Sequence, residues 1–145
     1  MMTVFIEAEA GSFKKRRYDE ETLKLLGYSM TRKRYPYPYG FIPGTRTDDG
    51  DAVDSYVITK TPLKAGQAYE CEPAGLLEMI EGDETDHKVL SVPAGETAAM
   101  DETLKRELEE FILEIFKRYP DAHVRIGRLL PKEAALRHIE ENRVG

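Results

Sequence analysis

Asp49-Gly50-Asp51-Ala52-Val53-Asp54 places three carboxylates within six residues, around one glycine. Like charges this close repel one another unless something positive sits among them. Carboxylate oxygens suit hard divalent cations, and Mg2+ is usually held by a few carboxylates together with waters and substrate phosphates. On an extended segment Asp49 and Asp51 share a face. Gly50 lets the backbone bend, so Asp54 can curl back toward the same point. Asp-Gly is also the commonest hairpin signal, which would leave the acids in a solvated turn. Against that, Tyr56-Val57-Ile58 follows at once and sets Asp54 at the mouth of a buried strand, where a carboxylate needs a partner. The pattern predicts a Mg2+ site that handles a phosphate compound.

A second acidic stretch holds Glu81, Asp83, Glu84 and Asp86, with His87 and Lys88 next. Asp86 and Lys88 stand two apart at a strand start and can point the same way, one toward metal and the other toward phosphate as a point charge. Lys14-Lys15-Arg16-Arg17 reads as a solvated face or as a clamp on an anion. Tyr39 could donate its phenolic proton to a phosphate oxygen, or simply pack. His87, His123 and His138 lack ligand spacing and read as structural or surface residues. Cys71 lies within a strand pattern and reads as a small core residue.

Short strands must carry these residues. Alternation predicts strands at Thr3–Glu7, Ser55–Thr59, Ala68–Glu72, Gly75–Ile80 and His87–Val92, with a break at Pro73. Tyr18–Leu26 fits a short helix or a turn and strand. Tyr35–Thr45 holds three prolines and reads as a structured, aromatic-rich loop. Leu104, Leu108, Phe111, Ile112, Ile115 and Tyr119 repeat at helical spacing behind the N-cap candidate Asp101, and Pro120 stops the helix. Val124, Ile126 and Leu129 suggest a last strand. Pro131 opens a final helix with Ala134, Ala135, Leu136 and Ile139 as its apolar side. Strands this short and closely spaced suggest a barrel or sandwich, with helices in the C-terminal half.

The chain has 145 residues, 41% hydrophobic, which suits one domain over residues 1–145. Its net charge of −6 argues against non-specific nucleic-acid binding. One cysteine excludes an internal disulfide and fits a reducing, cytoplasmic setting. No apolar stretch approaches the ~20 residues of a membrane span, and no signal peptide is evident.

Together these residues resemble the soluble inorganic pyrophosphatases of family I, the Mg2+-dependent type. Tyr35-Pro36-x-x-Tyr39-Gly40-Phe41-Ile42-Pro43-x-Thr45 followed by Asp49-Gly50-Asp51-x-Val53-Asp54 resembles that family's central signature. Val4-x-Ile6-Glu7, Gly11-Ser12, Asp86-x-Lys88-Val89 and the Phe111–Lys117 helix followed by Val124-Arg125-Ile126 match further along. The resemblance implies a mainly β fold with flanking helices, a small closed five-stranded OB-like barrel. It implies hydrolysis of pyrophosphate to two orthophosphates, with several Mg2+ per site and Mn2+ or Zn2+ as substitutes. It makes Asp49, Asp54 and Asp86 metal ligands, Asp51 the general base, and Lys15, Tyr39, Lys88 and Lys117 phosphate contacts. Glu7 becomes an outer acid that supports metals through water. It also implies a homo-oligomer, a hexamer in prokaryotes, with neither nucleic acid nor membrane as partner.

The chain departs from that pattern at several positions. Pro38 stands where the family has Asn, Arg17 where it has an acid, and Phe116 where it has Tyr. Glu81 takes the place of the first Asp of the second loop, or that Asp is displaced to Asp83. A substrate-contacting arginine has no clean counterpart, since Arg32 and Arg34 lie out of register. The metal-binding positions are kept while the outer contacts are altered. Two other readings therefore stay open: a metal-dependent hydrolase of a larger, nucleotide-like diphosphate, and a catalytically weak phosphate-binding OB-type module.

Overall fold

Nine strands and two α-helices make up residues 1–144, the part of the chain that the computed structural model describes. In chain order these are β1 (Met2–Ala8), β2 (Lys14–Tyr18), β3 (Leu25–Met30), β4 (Tyr39–Ile42), β5 (Val53–Val57), β6 (Ala68–Glu81), β7 (Glu84–Thr85) and β8 (Lys88–Pro93). Helix α1 (Glu102–Phe116), strand β9 (Val124–Pro131) and helix α2 (Lys132–Glu141) follow. Strands β1, β4, β5, β8 and β6 pair in that order, and β6 returns to β1 through Met2↔Cys71 to Phe5↔Ala68. This is the five-stranded, OB-like ring that the resemblance implied. Its pairings are antiparallel except β5 with β8.

Two local expectations change and one open choice is resolved. Strand β6 runs unbroken through Pro73, because its register on β8 shifts between Pro73 and Gly75. A bulge there leaves the missing proline N–H unneeded. The second half of the Tyr35–Thr45 loop is strand β4, buried along its whole length. Its prolines, Pro36, Pro38 and Pro43, flank the strand and never enter it. The basic run Lys14–Arg17 lies in β2, paired with β3 as a separate hairpin, and the ambiguous segment supplies the turn between them.

The ring has two apolar layers because successive side chains of a strand point to opposite sides. On β5, β6 and β8, Val53, Val57, Leu76 and Val89 face one layer, with Ala134, Ala135 and Ile139 of α2. Tyr56, Leu77 and Leu90 face the other, with Leu104, Leu108, Phe111 and Ile112 of α1. Each of those four α1 side chains contributes roughly 1.5–3 kcal/mol by leaving water. Asp101 caps the helix, accepting from Leu104 N at 3.0 Å. The helix ends at Phe116, before the 3-10 turn at Pro120–Ala122, so Tyr119 drops out of the apolar repeat and is exposed. Leu136 was also expected on a buried face. It is exposed, because Ala134, Ala135 and Ile139 alone fill the contact of α2 with the ring.

Candidate active site

Strand alternation aims the central residues. Asp54 shares a face of β5 with Tyr56, and Lys88 shares a face of β8 with Leu90. Tyr56 and Leu90 both lie in the layer under α1, so Asp54 and Lys88 turn to that side too. The parallel register sets Asp54 beside Lys88. Lys88 Nζ donates to Asp54 Oδ2 at 2.7 Å, to Asp86 Oδ2 at 3.2 Å and to Tyr39 Oη at 3.1 Å. Burial alone would push the Lys88 ammonium toward neutrality. Asp54 and Asp86 outweigh that and hold it charged, above its usual value.

The Asp49–Asp54 loop is both a turn and part of the site. Gly50 takes φ +91°, a conformation that favours glycine. Asp49 Oδ1 accepts from Thr47 Oγ1 and, at 2.9 Å, from Asp51 N. The turn hydrogen bonds therefore orient the acids, although Asp49 and Asp51 remain exposed. Both carboxylate oxygens of Glu20 accept from Ala52 N, at 3.1 and 3.2 Å, and latch the β2–β3 turn onto this loop. Glu20 was missed in the sequence. It lies 32 residues from its partner, and no spacing connects the two.

These segments enclose one cavity of about 520 Å3. The first loop contributes Asp49, Asp51 and Asp54, and the second acidic stretch contributes Glu81 and Asp86. Glu7 comes from β1, Lys15 from β2, Tyr39 from β4 and Lys88 from β8. The cavity wall also includes Glu20, Arg17, Tyr35 and Phe116. Lys117 is not brought in: its Nζ pairs with Glu114 at 2.8 Å and its side chain is 61% exposed. Asp83 also stays outside the wall.

Crowding of negative charge shows in the acids. Burial, then Asp49, Asp54 and Asp86, raise Asp51 above the usual carboxylate range. Burial and Asp86 raise Glu81. Burial raises Glu7 from 4.5 to about 7, against the opposing pull of Lys15. Between these two values folded Glu7 keeps a proton that the unfolded chain releases. Its contribution to stability is therefore complete below pH 4.5 and is lost as pH rises through about 7. Glu7→Gln is expected to add about 2 kcal/mol, roughly 5–10 °C in Tm, in metal-free buffer at pH 8. At pH 4 it should leave Tm unchanged. Equal melting of the two proteins at both pH values would show that the Glu7 charge is not penalised.

The donor set fits Mg2+. It is made of carboxylate oxygens, with no cysteine and no histidine on the cavity wall. Among the described residues no group of three such side chains closes on one point. The acids stand around the wall, short of the tight convergence on shared ions that the loop pattern suggested.

The ring and the acidic cavity with Lys88 between Asp54 and Asp86 define an OB-like barrel protein with a charged cavity. Comparison with known proteins narrows this class. The inorganic pyrophosphatase family matches residues 4–144. The inorganic pyrophosphatase of Synechocystis is 35% identical over 139 residues, covering 90% of this chain and 80% of that protein. The one from Nanoarchaeum equitans is 34% identical over 148 residues, covering 94% and 92%. The structure of an inorganic pyrophosphatase from Coxiella burnetii superposes with a TM-score of 0.83 at 28% identity, covering 97% of this chain and 91% of that one. The chain belongs to the inorganic pyrophosphatase family.

Proposed function

We propose that residues 1–145 form one pyrophosphatase-like domain that hydrolyses inorganic pyrophosphate to two orthophosphates with Mg2+. The observation that carries this reading is the shared cavity of Asp49, Asp51, Asp54, Asp86, Lys15 and Lys88, in a chain of that family. Asp49, Asp54, Asp86 and Glu81 would hold Mg2+, and Glu7 would support it through water. When bound, the metal cancels charge on the diphosphate oxygens and lowers the pKa of water.

The rest of the chemistry belongs to the chain. Asp51 takes the proton from the attacking water, and it is a better base than an ordinary aspartate. Tyr39 Oη accepts from Lys88, so its own proton remains free to donate to a phosphate oxygen. Burial, then Asp54, raises the Tyr39 pKa, so that proton is retained. Lys15 offers an ammonium to the phosphate from the hairpin. Lys117 can join by giving up Glu114, since an exposed ion pair contributes only about 0–1 kcal/mol.

Among the described residues no helix is long and apolar enough to cross a membrane. The family resemblance and the single buried thiol support a cytoplasmic protein, and the resemblance also supports a homo-oligomer, by preference a hexamer. The direct test is phosphate release from pyrophosphate with and without Mg2+, beside a panel of nucleoside diphosphates. Release only with the metal, and fastest from pyrophosphate, is expected. A signal no higher than the enzyme-free control would sink the reading.

A further inference from the structure

The geometry points to Arg17 as a substrate-binding residue that grips one phosphate group from the β2–β3 hairpin. This rests on the diphosphate reading of the cavity and adds a contact that the resemblance does not supply, since it places an acid at this position. Lys15 and Arg17 are two apart on β2 and share a face. Lys15 Nζ stands 5.5 Å from the centre of the Tyr39 ring, so that face looks into the cavity, and Arg17 lines it as well.

The hairpin is shaped around the guanidinium. Arg17 pairs with Gly27, and Tyr18 pairs with Leu25, so Leu26 is an extra residue on β3. A bulge of this kind re-aims the side chains around it. Gly27 lies directly below: a Cβ there would meet Arg17 Nη2 at 3.6 Å as its nearest atom. The arginine head therefore lies over Gly27 at van der Waals distance from where a side chain would begin.

Arg17 also lacks a carboxylate. Among the described residues it forms no ion pair, although Asp19 and Glu20 are close in sequence. Both are engaged elsewhere: Asp19 Oδ1 accepts from Glu21 N at 2.9 Å and Thr22 N at 2.8 Å, and Glu20 accepts from Ala52 N. Lys88 is committed to Asp54 and Asp86. Lys15 is drawn toward Glu7 and Asp51, which leaves Arg17 as the cation on the wall with no acid close upon it among the described residues. A guanidinium can grip two oxygens of one phosphate at once, which an ammonium cannot.

The experiment compares wild type, Arg17→Ala and Arg17→Lys in Mg2+ buffer. It reads pyrophosphate kinetics and calorimetric binding of methylenediphosphonate, a diphosphate that cannot be hydrolysed. Arg17→Ala is expected to lower kcat/KM by about 10–100-fold and to weaken analogue binding by about tenfold, with Tm unchanged. Arg17→Lys should recover only part of each loss, because it restores charge without the fork. Wild-type kinetics and analogue affinity in Arg17→Ala would overturn the inference and leave the pyrophosphatase reading standing. Full recovery in Arg17→Lys would overturn the two-oxygen grip. Arg17-dependent analogue binding in a protein that does not hydrolyse pyrophosphate would support the inference and remove the activity.

Discussion

Asp51→Asn is expected to lower kcat for pyrophosphate by about 10²–10⁴-fold, the usual worth of a positioned general base. The replacement keeps the shape and removes the basic carboxylate lone pairs at this position. It also removes one charge from a group of acids that repel it, Asp49, Asp54 and Asp86 among them. Tm in metal-free buffer should therefore hold or rise while activity falls, which separates a chemical role from a structural one. The pH dependence follows from the same environment. Asp51 is raised by burial and by its acidic neighbours, so it takes up its proton at higher pH than an ordinary aspartate. The wild-type rate should fall as pH is lowered through that raised value, because the base is then occupied. Turnover in Asp51→Asn within a few-fold of wild type would exclude this residue as the base.

Gly40→Ala should have the largest effect on folding. A Cβ at Gly40 would lie 1.8 Å from the Phe5 carbonyl oxygen and 2.7 Å from its carbon. Both atoms are backbone, in the strand that pairs with β4 through Ile6↔Gly40. No rotamer change relieves the clash, so β1 and β4 would have to separate and break the ring. A loss above about 4 kcal/mol is expected, a large part of the 5–15 kcal/mol that holds a typical domain together. Urea unfolding followed by circular dichroism measures it. A midpoint equal to that of wild type would mean that the two strands can part without loss of the ring. Tyr39 precedes this glycine, so activity should fall with stability.

How much of the site could be read in advance depends on distance along the chain. Asp49, Asp51 and Asp54 sit in one short loop, and Asp86 with Lys88 in one strand start, so their types and spacing were enough to suggest shared chemistry. Glu7 came only through the resemblance, and Lys15 was legible only as one of a basic run, a solvated face or an anion clamp, since nothing local links either to residue 54. Glu20 was not found at all, because its bond to Ala52 N joins a hairpin turn to a loop far away in sequence. Arg17 read as one of a basic run, solvated or anion-clamping, and as a departure from the family pattern, until its place over Gly27 was visible. Strand β4 was hidden by its flanking prolines, and the run of β6 through Pro73 by the bulge that makes it tolerable.

Local chemistry, then, was settled by amino-acid order alone: which carboxylates are neighbours, where helix α1 starts, which faces are apolar. These depend on backbone periodicity and on contacts within a few residues. The parallel register of β5 on β8 put Lys88 between Asp54 and Asp86, and only the closed set of pairings could choose it. That register is the outcome of packing every layer at once, and a slip of one residue would turn Lys88 to the opposite face.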